Sequence, residues 1–363
     1  MRKKIFNCDK PLALESGKIL PGYHLAYTAY GQLNEAKDNV VWIFHALTAN
    51  SDPVEWWAGL VGEGKFFNPS KYFIICVNMP GSCYGSIGPF DVESVSNEIY
   101  YNNFPWFTIR DMVHAYQPLK EFLGIKKIHI GIGGSMGGQQ LLEWAIEEPD
   151  AFEYIFPIAT NAMHSSWGVA FNATQRMCIE ADKTWGQKSV SAGIDGMKAA
   201  RACALLSYRN YITYSHSQPI LSGKNLNFVN GVALQDSART GAVSYQYYQG
   251  EKLAKRFNAY SYYFLSMGMD SHHVGRGRGS IELALQQIKA KTLVIGLDTD
   301  ILFPLSEQQF LAEKITGATC RVIHSIYGHD GFLLEFDQME DIIQNFISKE
   351  AITSFIAGDA YNQ

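Results

Sequence analysis

The sequence lacks the features that mark three classes of protein. It has no apolar run long enough to span a bilayer, and its first residues, MRKKIFNCDKPLAL, contain no sustained apolar stretch, so we expect neither a membrane protein nor a secretory signal. No cluster of lysine and arginine stands out and the formal net charge is -5, which argues against nucleic-acid binding. The six cysteines form no Cys-x-x-Cys pair and no zinc-type spacing, which is typical of free thiols in a reducing cytoplasm.

What is present is a large globular chain in which strand and helix signals alternate. Of its 363 residues, 47% are hydrophobic and 18% are charged, which is enough for a large core and a second subdomain. Continuous apolar runs such as VVWIFHAL are typical of parallel strands buried on both faces. We predict an antiparallel entry strand over 22–30, buried strands over 40–47, 72–79, 126–134, 153–160, 291–298 and 320–326, and helices over 107–125, 135–149, 306–315 and 335–348. This order predicts an open, mostly parallel sheet with helices on its faces.

The middle of the chain differs in character from both ends. Strand-like runs become rare there, and helical segments rich in aromatic and small residues replace them, among them IDGMKAARACALLSYR and AYSYYFLSMGMD. We therefore predict an α/β core formed by residues 1–165 and 280–363, with a helical lid over 166–279 inserted in it.

Ser135 lies between a predicted strand and a predicted helix, in a segment GGSMG that fits the pattern G-x-S-x-G. In such a turn the serine has a strained backbone, and its hydroxyl projects beyond the carboxyl edge of the sheet. A glycine-rich phosphate loop is the alternative, but the buried strand before and the helix after favour a nucleophile. The Met136 N–H begins the helix, where partial positive charge gathers, so it is a predicted oxyanion donor.

A serine nucleophile needs a base, and in the α/β-hydrolase fold the order along the chain is nucleophile, acid, histidine. The segment GLDTDILFP places Asp298 and Asp300 just after a buried strand, and we favour Asp300 because it is better placed in the loop. His329 lies in a glycine-flanked loop after the last strand. Ser135, Asp300 and His329 are therefore the predicted catalytic triad.

The loop after the early strand should supply a second oxyanion donor. HALTAN forms this loop, and we predict the Leu47 N–H as the donor, aimed at the charge that develops on the carbonyl oxygen. His45, in the same loop, could be mistaken for a catalytic base. Its position at the end of a strand favours a structural role instead.

Several longer segments extend this pattern over most of the chain: HALTAN (45–50), CYGSIGP (83–89), FTIRDMV (107–113), GGSMGGQQLLEWA (133–145), RFNAYSYYFLSMGMDSHHVGRGRG (256–279), DTDILFP (298–304) and YGHDGF (327–332). In this order they resemble the homoserine O-acetyltransferase family of the α/β-hydrolase superfamily. The resemblance is far more specific than G-x-S-x-G alone. It implies an α/β-hydrolase fold, with a mostly parallel central sheet flanked by helices and an inserted helical lid.

The resemblance also implies a two-step acyl transfer for methionine biosynthesis. Ser135 takes the acetyl group from acetyl-CoA, and the γ-hydroxyl of L-homoserine then attacks the acyl-enzyme. His329 acts as base and acid, and Asp300 orients it. The expected partners are these two small-molecule substrates, without nucleic acid, membrane, metal or prosthetic group.

Members of the family bind homoserine through an arginine and a tyrosine of the lid and the aspartate after the catalytic histidine. The matching positions here are Arg201, Tyr208 and Asp330. Arg201 can bind the α-carboxylate through two parallel hydrogen bonds, and Asp330 can take the α-ammonium. Arg209 is the nearest rival to Arg201. The lid of the family also forms a helical homodimer, and the aromatic-rich segment 240–268 could supply that surface.

Some features of the sequence depart from the family and leave alternatives open. The loop NMPGSCYGS (78–86) lacks the paired glycines that often precede its cysteine, and Gln139-Gln140 replaces the common Met-Gln. A serine acceptor or a succinyl donor is therefore an alternative reading. A carboxylesterase and a non-catalytic α/β-hydrolase used as a binding module are the others, although an intact triad argues against the last.

Overall fold

The computed structural model describes residues 3–218, 228–229, 232–233 and 241–360. Its strands are β1 (Lys4–Cys8), β2 (Leu12–Ala13), β3 (Ile19–Leu20), β4 (Tyr23–Tyr30), β5 (Val40–Phe44), β6 (Phe73–Val77), β7 (Ile128–Gly134), β8 (Phe152–Ile158), β9 (Phe228–Val229), β10 (Val232–Ala233), β11 (Lys291–Leu297) and β12 (Thr319–Ile323). Eight of them form one sheet in the order β1-β4-β6-β5-β7-β8-β11-β12. The pairs from β6 to β12 are parallel, whereas β4 is antiparallel to both β1 and β6. The predicted mostly parallel sheet is thus confirmed.

Both faces of the sheet are buried, as the continuous apolar runs predict. Along β5, Val40, Trp42 and Phe44 belong to one hydrophobic cluster, and Val41 and Ile43 belong to the cluster on the other face. All five side chains are at most 2% exposed. The strand is therefore held from both sides, and its last residue is fixed where the loop with Leu47 begins.

Helices cover the sheet and form most of the segment between β8 and β11. They are α1 (Pro53–Trp56), α2 (Ile109–Phe122), α3 (Met136–Glu147), α4 (Ser166–Glu180), α5 (Ile194–Tyr208), α6 (Tyr211–Ser217), α7 (Gly241–Ala254), α8 (Ala259–Asp270), α9 (Ile281–Leu285), α10 (Leu305–Lys314) and α11 (Phe336–Ala360). The start of α2 shows why these segments are helical. Thr108 and Asp111 form a reciprocal capping box there, which satisfies two otherwise unpaired backbone N–H groups.

The bounds of several elements differ from the prediction. The strand predicted over 40–47 ends at Phe44, and the one predicted over 72–79 spans Phe73–Val77, because the chain leaves the sheet at its carboxyl edge to form loops. The final helix is longer than the predicted 335–348. The edge strand β1 was not predicted.

The helices α4 to α8 lie within 166–279, the range of the predicted lid. Part of that range, 219–240 apart from two short strands, lies outside the described residues. Polar contacts join α4 to α8, since the Asn172 amide donates to an Asp270 carboxylate oxygen at 2.8 Å and Arg176 does so at 2.6 Å. The boundaries 166 and 279 of the lid stay a prediction.

In the described part of the chain, none of the helices combines the length and the apolar character that crossing a membrane requires.

Candidate active site

Ser135 forms the sharp turn between β7 and α3. Its φ is 58° and its ψ is -127°, a region that residues other than glycine rarely adopt. The turn lies close against β5. A Cβ on Gly137 would be 2.1 Å from the carbonyl oxygen of Phe44, and one on Gly133 would be 2.7 Å from the backbone of Gly137, so this close approach requires glycine at both positions.

Hydrogen bonds to the next strand and its loop hold the strained turn. The Ser135 N–H donates to the Ile158 carbonyl oxygen at 2.9 Å. The Thr160 hydroxyl donates to the Ser135 carbonyl oxygen, also at 2.9 Å. The Ser135 backbone is therefore fixed on both sides, and its hydroxyl takes no part in these contacts.

Asp300 and His329 form a buried pair at the same edge of the sheet, after β11 and β12. Asp300 Oδ2 lies 2.6 Å from His329 Nδ1, and the two side chains are 0% and 4% exposed. The other oxygen of Asp300 accepts the N–H groups of Leu302 and Phe303 at 2.8 Å and 2.9 Å. Since Nδ1 donates to the carboxylate in neutral His329, Nε2 is the nitrogen that can accept a proton.

Asp298, the alternative acid, has different partners. Its Oδ2 lies 2.9 Å from His324 Nδ1, and its Oδ1 accepts the Ser325 N–H at 3.1 Å. Asp298 therefore supports the end of β12, and it is Asp300 that contacts His329.

Three aromatic rings enclose the His329 imidazole. Phe303 is stacked on it with ring centroids 5.1 Å apart. The rings of Phe332 and Tyr208 lie at 5.3 Å and 6.0 Å. Phe332 also packs on the serine turn, because a Cβ on Gly134 would be 2.5 Å from its ring. These contacts place the loop that contains His329 and Phe332 directly against the turn that contains Ser135.

The predicted oxyanion donors lie in the two loops that flank this point. Met136 is the first residue of α3, and Leu47 lies in the loop after β5 and is 5% exposed. Within the described residues, the Leu47 N–H donates to no main-chain carbonyl oxygen, and the Met136 N–H donates to none outside α3. Both N–H groups are therefore still candidates for the predicted oxyanion hole.

Buried polar side chains hold the loop that contains Leu47. The Asn78 side-chain oxygen accepts the Ser51 N–H at 2.8 Å, and its nitrogen donates to the Ser51 hydroxyl at 2.9 Å. His45 Nε2 accepts the Met79 N–H at 3.1 Å. Burial lowers the pKa of His45 to about 4, against a backbone hydrogen bond to Ala46, so the ring is neutral at pH 7, as the predicted structural role requires.

The predicted substrate-binding residues lie on α5 and directly after His329. The Arg201 guanidinium lies over the Tyr208 ring, 5.3 Å from its centroid. Asp330 follows His329 directly, and burial raises its pKa, with Arg209 and Arg201 opposing the increase. The structure therefore brings Arg201, Tyr208 and Asp330 to one side of the histidine.

Two features of the site were not predicted from the sequence. Arg209 contacts Asp330, with Nε and Oδ2 3.0 Å apart; the run KAARACALLSYRN contains both arginines, but nothing in it shows which one reaches the carboxylate. A buried chain also joins α3 to α10, in which Gln139 donates to Asn161 and Asn161 donates to Glu307, each at 3.0 Å. Such contacts depend on tertiary structure and leave no local sequence signal.

A strained serine turn at the carboxyl edge of a mostly parallel sheet, with a buried aspartate–histidine pair at the same edge, is the arrangement of the alpha/beta hydrolases. The family model described as alpha/beta hydrolase fold matches residues 39–336. A homoserine O-acetyltransferase from Cyclobacterium marinum is 47% identical over 346 residues, which cover 95% of this chain and 95% of the relative. This chain therefore belongs to the homoserine O-acetyltransferase family within that class.

Solved structures give the same fold. The homoserine O-acetyltransferase from Bacillus anthracis superposes with a TM-score of 0.86 at 23% identity, over 95% of this chain and 97% of that one. An acetylester hydrolase from Corynebacterium glutamicum superposes with a TM-score of 0.80 at 25% identity, over 95% of this chain and 96% of that one. The fold is thus shared by enzymes named for transfer and for hydrolysis.

Proposed function

We propose that this protein is a homoserine O-acetyltransferase, which moves an acetyl group from acetyl-CoA to the side-chain hydroxyl of L-homoserine. The observation that carries the proposal is the 47% identity, over 95% of both chains, to a relative of that name. The buried Asp300–His329 pair and the strained turn at Ser135 supply groups suited to this chemistry.

In the first half of the reaction, the Ser135 hydroxyl attacks the thioester carbonyl and gives its proton to His329 Nε2. The N–H groups of Leu47 and Met136 bind the oxyanion, and one such donor typically lowers the barrier by about 3 kcal/mol. The tetrahedral intermediate then collapses to acetyl-Ser135. The CoA thiol leaves with the proton from His329, and Asp300 stabilises the imidazolium in between.

In the second half, the hydroxyl of homoserine gives its proton to His329 and attacks the acetyl carbonyl. Collapse of the new tetrahedral intermediate forms O-acetylhomoserine and returns the proton to Ser135. Arg201 binds the α-carboxylate, Asp330 binds the α-ammonium, and Tyr208 lines the pocket. The acyl group is carried by serine itself, so this chemistry requires no metal ion or prosthetic group.

A carboxylesterase is the second candidate, and the likeness to an acetylester hydrolase favours it. The same triad serves both reactions, and the difference is whether water or an alcohol attacks the acyl-enzyme. A serine acceptor or a succinyl donor would keep the triad and change only the pocket.

We also propose that the product serves methionine biosynthesis in the cytoplasm, and that the protein is a homodimer formed through the lid helices. Exposed apolar side chains on these helices support the dimer, among them Leu206, Tyr211 and Tyr248, which are 55%, 85% and 58% exposed. Apolar groups of this size on a surface favour a protein contact.

The experiment that tests the function is CoA release with acetyl-CoA or succinyl-CoA as donor and L-homoserine or L-serine as acceptor. Mass spectrometry identifies the product. We expect release that depends on homoserine and yields O-acetylhomoserine. Preference for succinyl-CoA or serine would move the function to a related transferase, and CoA release that is independent of the acceptor would indicate an esterase.

The first variant to test is Ser135→Ala. Because Ser135 carries the acetyl group, we expect kcat for transfer to fall by a factor on the order of 10⁴ or more, while far-UV circular dichroism stays unchanged. Ser96→Ala, at an exposed serine whose hydroxyl donates to Glu93 and accepts the Glu98 N–H, is the matched control. Transfer activity retained by Ser135→Ala would show that another residue is the nucleophile.

A further inference from the structure

An ion pair occupies the carboxylate next to the catalytic histidine. Arg209 Nε lies 3.0 Å from Asp330 Oδ2, and the two side chains are 20% and 15% exposed. Arg209 Nε makes no aligned hydrogen bond, although it is buried. The pair is therefore held by charge, and a ligand with a better-aligned N–H group could replace the arginine.

The backbone around this pair is firmly placed. Arg209 follows the last residue of α5, and a Cβ on Gly328 would be 3.0 Å from the Arg209 backbone. The Thr213 hydroxyl donates to the Ile326 carbonyl oxygen. The segment after α5 and the loop that contains His329 therefore meet here at fixed positions, and the Arg209 side chain can move without changing this contact.

The charges at this point do not balance. Arg201 and Arg209 both lie near Asp330, and both oppose the increase in its pKa that burial causes. Within the described residues, Arg201 contacts the Tyr208 ring and pairs with no carboxylate. Two guanidinium groups thus face one carboxylate, which leaves room for one more negative charge.

We propose that Arg209 is a specificity-determining residue that an amino-acid acceptor displaces from Asp330. The α-ammonium of the acceptor takes the place of Arg209 at Asp330, and Arg209 then joins Arg201 on the α-carboxylate. This inference rests on the proposed function. It adds Arg209 as a second residue that binds the acceptor's α-carboxylate, and only an ammonium group at Asp330 releases Arg209 for that contact.

The exchange favours ligands that carry both charges. A ligand with an amine alone must separate Arg209 from Asp330 and leaves the arginine with the Tyr327 ring but without a carboxylate, which is costly in a buried site. A ligand with a carboxylate alone leaves the pair closed and binds Arg201 only. A zwitterion satisfies every charge, so both of its groups contribute.

The test is calorimetric titration at pH 8 with three ligands that lack the reactive hydroxyl: L-2-aminobutyrate, butyrate and propylamine. In Arg209→Gln the competitor for the amine is gone, so we expect the Kd of propylamine to fall about tenfold and that of butyrate to stay unchanged. The Kd of L-2-aminobutyrate should fall by less than that of propylamine, because the carboxylate of L-2-aminobutyrate also loses its contact with Arg209. Arg209→Lys keeps the charge and should restore the wild-type pattern in part.

Two further variants give the contrast. Arg201→Gln should weaken butyrate and L-2-aminobutyrate and leave propylamine unchanged, since Arg201 does not pair with Asp330. Arg321→Gln, at an exposed arginine on β12, should change none of the three.

A uniform loss of affinity in Arg209→Gln for all three ligands, or no change for any, would mean that Arg209 has a structural role only and would overturn the proposal. Binding is measured without turnover. The inference therefore fails or stands separately from the function, which is judged by homoserine-dependent CoA release from the wild-type enzyme.

Discussion

At the scale of single residues, the buried carboxyl of Glu307 has a pKa well above its ordinary value. Burial raises the pKa of this carboxyl to about 7, the hydrogen bond from Asn161 opposes the increase, and Asp300 adds to it. The folded protein therefore binds a proton at Glu307 at pH values where the unfolded chain has already lost it. The contribution of Glu307 to the free energy of unfolding therefore falls as the pH rises from about 4.5 to about 7.

Glu307→Gln should remove this dependence. Glutamine keeps an oxygen for the Asn161 amide and carries no charge to bury, so we expect the variant to be more stable than wild type at pH 8 and similar to it at pH 4.5. Urea denaturation at a series of pH values measures the difference. Glu63→Gln, at an exposed carboxylate, is the control, and pH profiles that run parallel for Glu307→Gln and wild type would refute the assignment.

At the scale of elements, the serine turn shows how strand and helix packing creates a site. Gly137 lies on α3 where a side chain would meet the backbone of β5, and a backbone cannot move aside as a side chain can. The strained geometry of Ser135 is thus a result of how closely α3 approaches the sheet.

Gly137→Ala should therefore destabilise the fold by about 2 kcal/mol through overpacking and also lower acetyl transfer, because the turn must shift. Gly317→Ala is the matched comparison, since Gly317 has a φ of 73° and a Cβ there would meet nothing within 4 Å. That variant carries the strain of a positive φ without a collision, whereas Gly137, on α3, has the collision without a positive φ. Chemical denaturation and CoA release measure the two effects, and equal transfer activity in both variants would contradict the role of close packing.

The elements that the sequence predicts well are those whose signal is local. Continuous apolar runs identify the central strands, and glycines around Ser135 identify the turn. The edge strand β1 is only five residues long and is exposed at three of them, so it has little pattern to detect. The choice of Arg209 as the partner of Asp330 depends on where two distant loops meet, which no local pattern contains.

At the scale of the whole molecule, a buried charge cluster joins distant parts of the chain. Glu143 on α3 is 2% exposed. It accepts hydrogen bonds from Arg110 of α2 at 2.6 Å and from Arg278, after α8, at 2.5 Å. The cluster thus links α2 and α3 to the segment that follows α8.

Glu143→Ala should lower the free energy of unfolding by about 2 kcal/mol, because Arg110 and Arg278 lose their buried partner and keep only the more exposed Glu15 and Glu147. Glu98→Ala, which removes an exposed pair with Lys188, should cause no measurable change. Urea denaturation measures the free energy of unfolding of both variants. A similar small decrease for each would mean that the cluster adds nothing to stability.

The positions of Ser135, Asp300 and His329 after β7, β11 and β12 have a consequence for folding kinetics. Strands β7 and β12 are separated in the sheet by β8 and β11, and the described part of the chain between them contains the helices α3 to α10. Long-range parallel pairing is slow because loop-closure entropy is lost before contacts form. On refolding, acyl-transfer activity should therefore return after the helical signal, and a chain still held on the ribosome before β12 emerges has a nucleophile without its base.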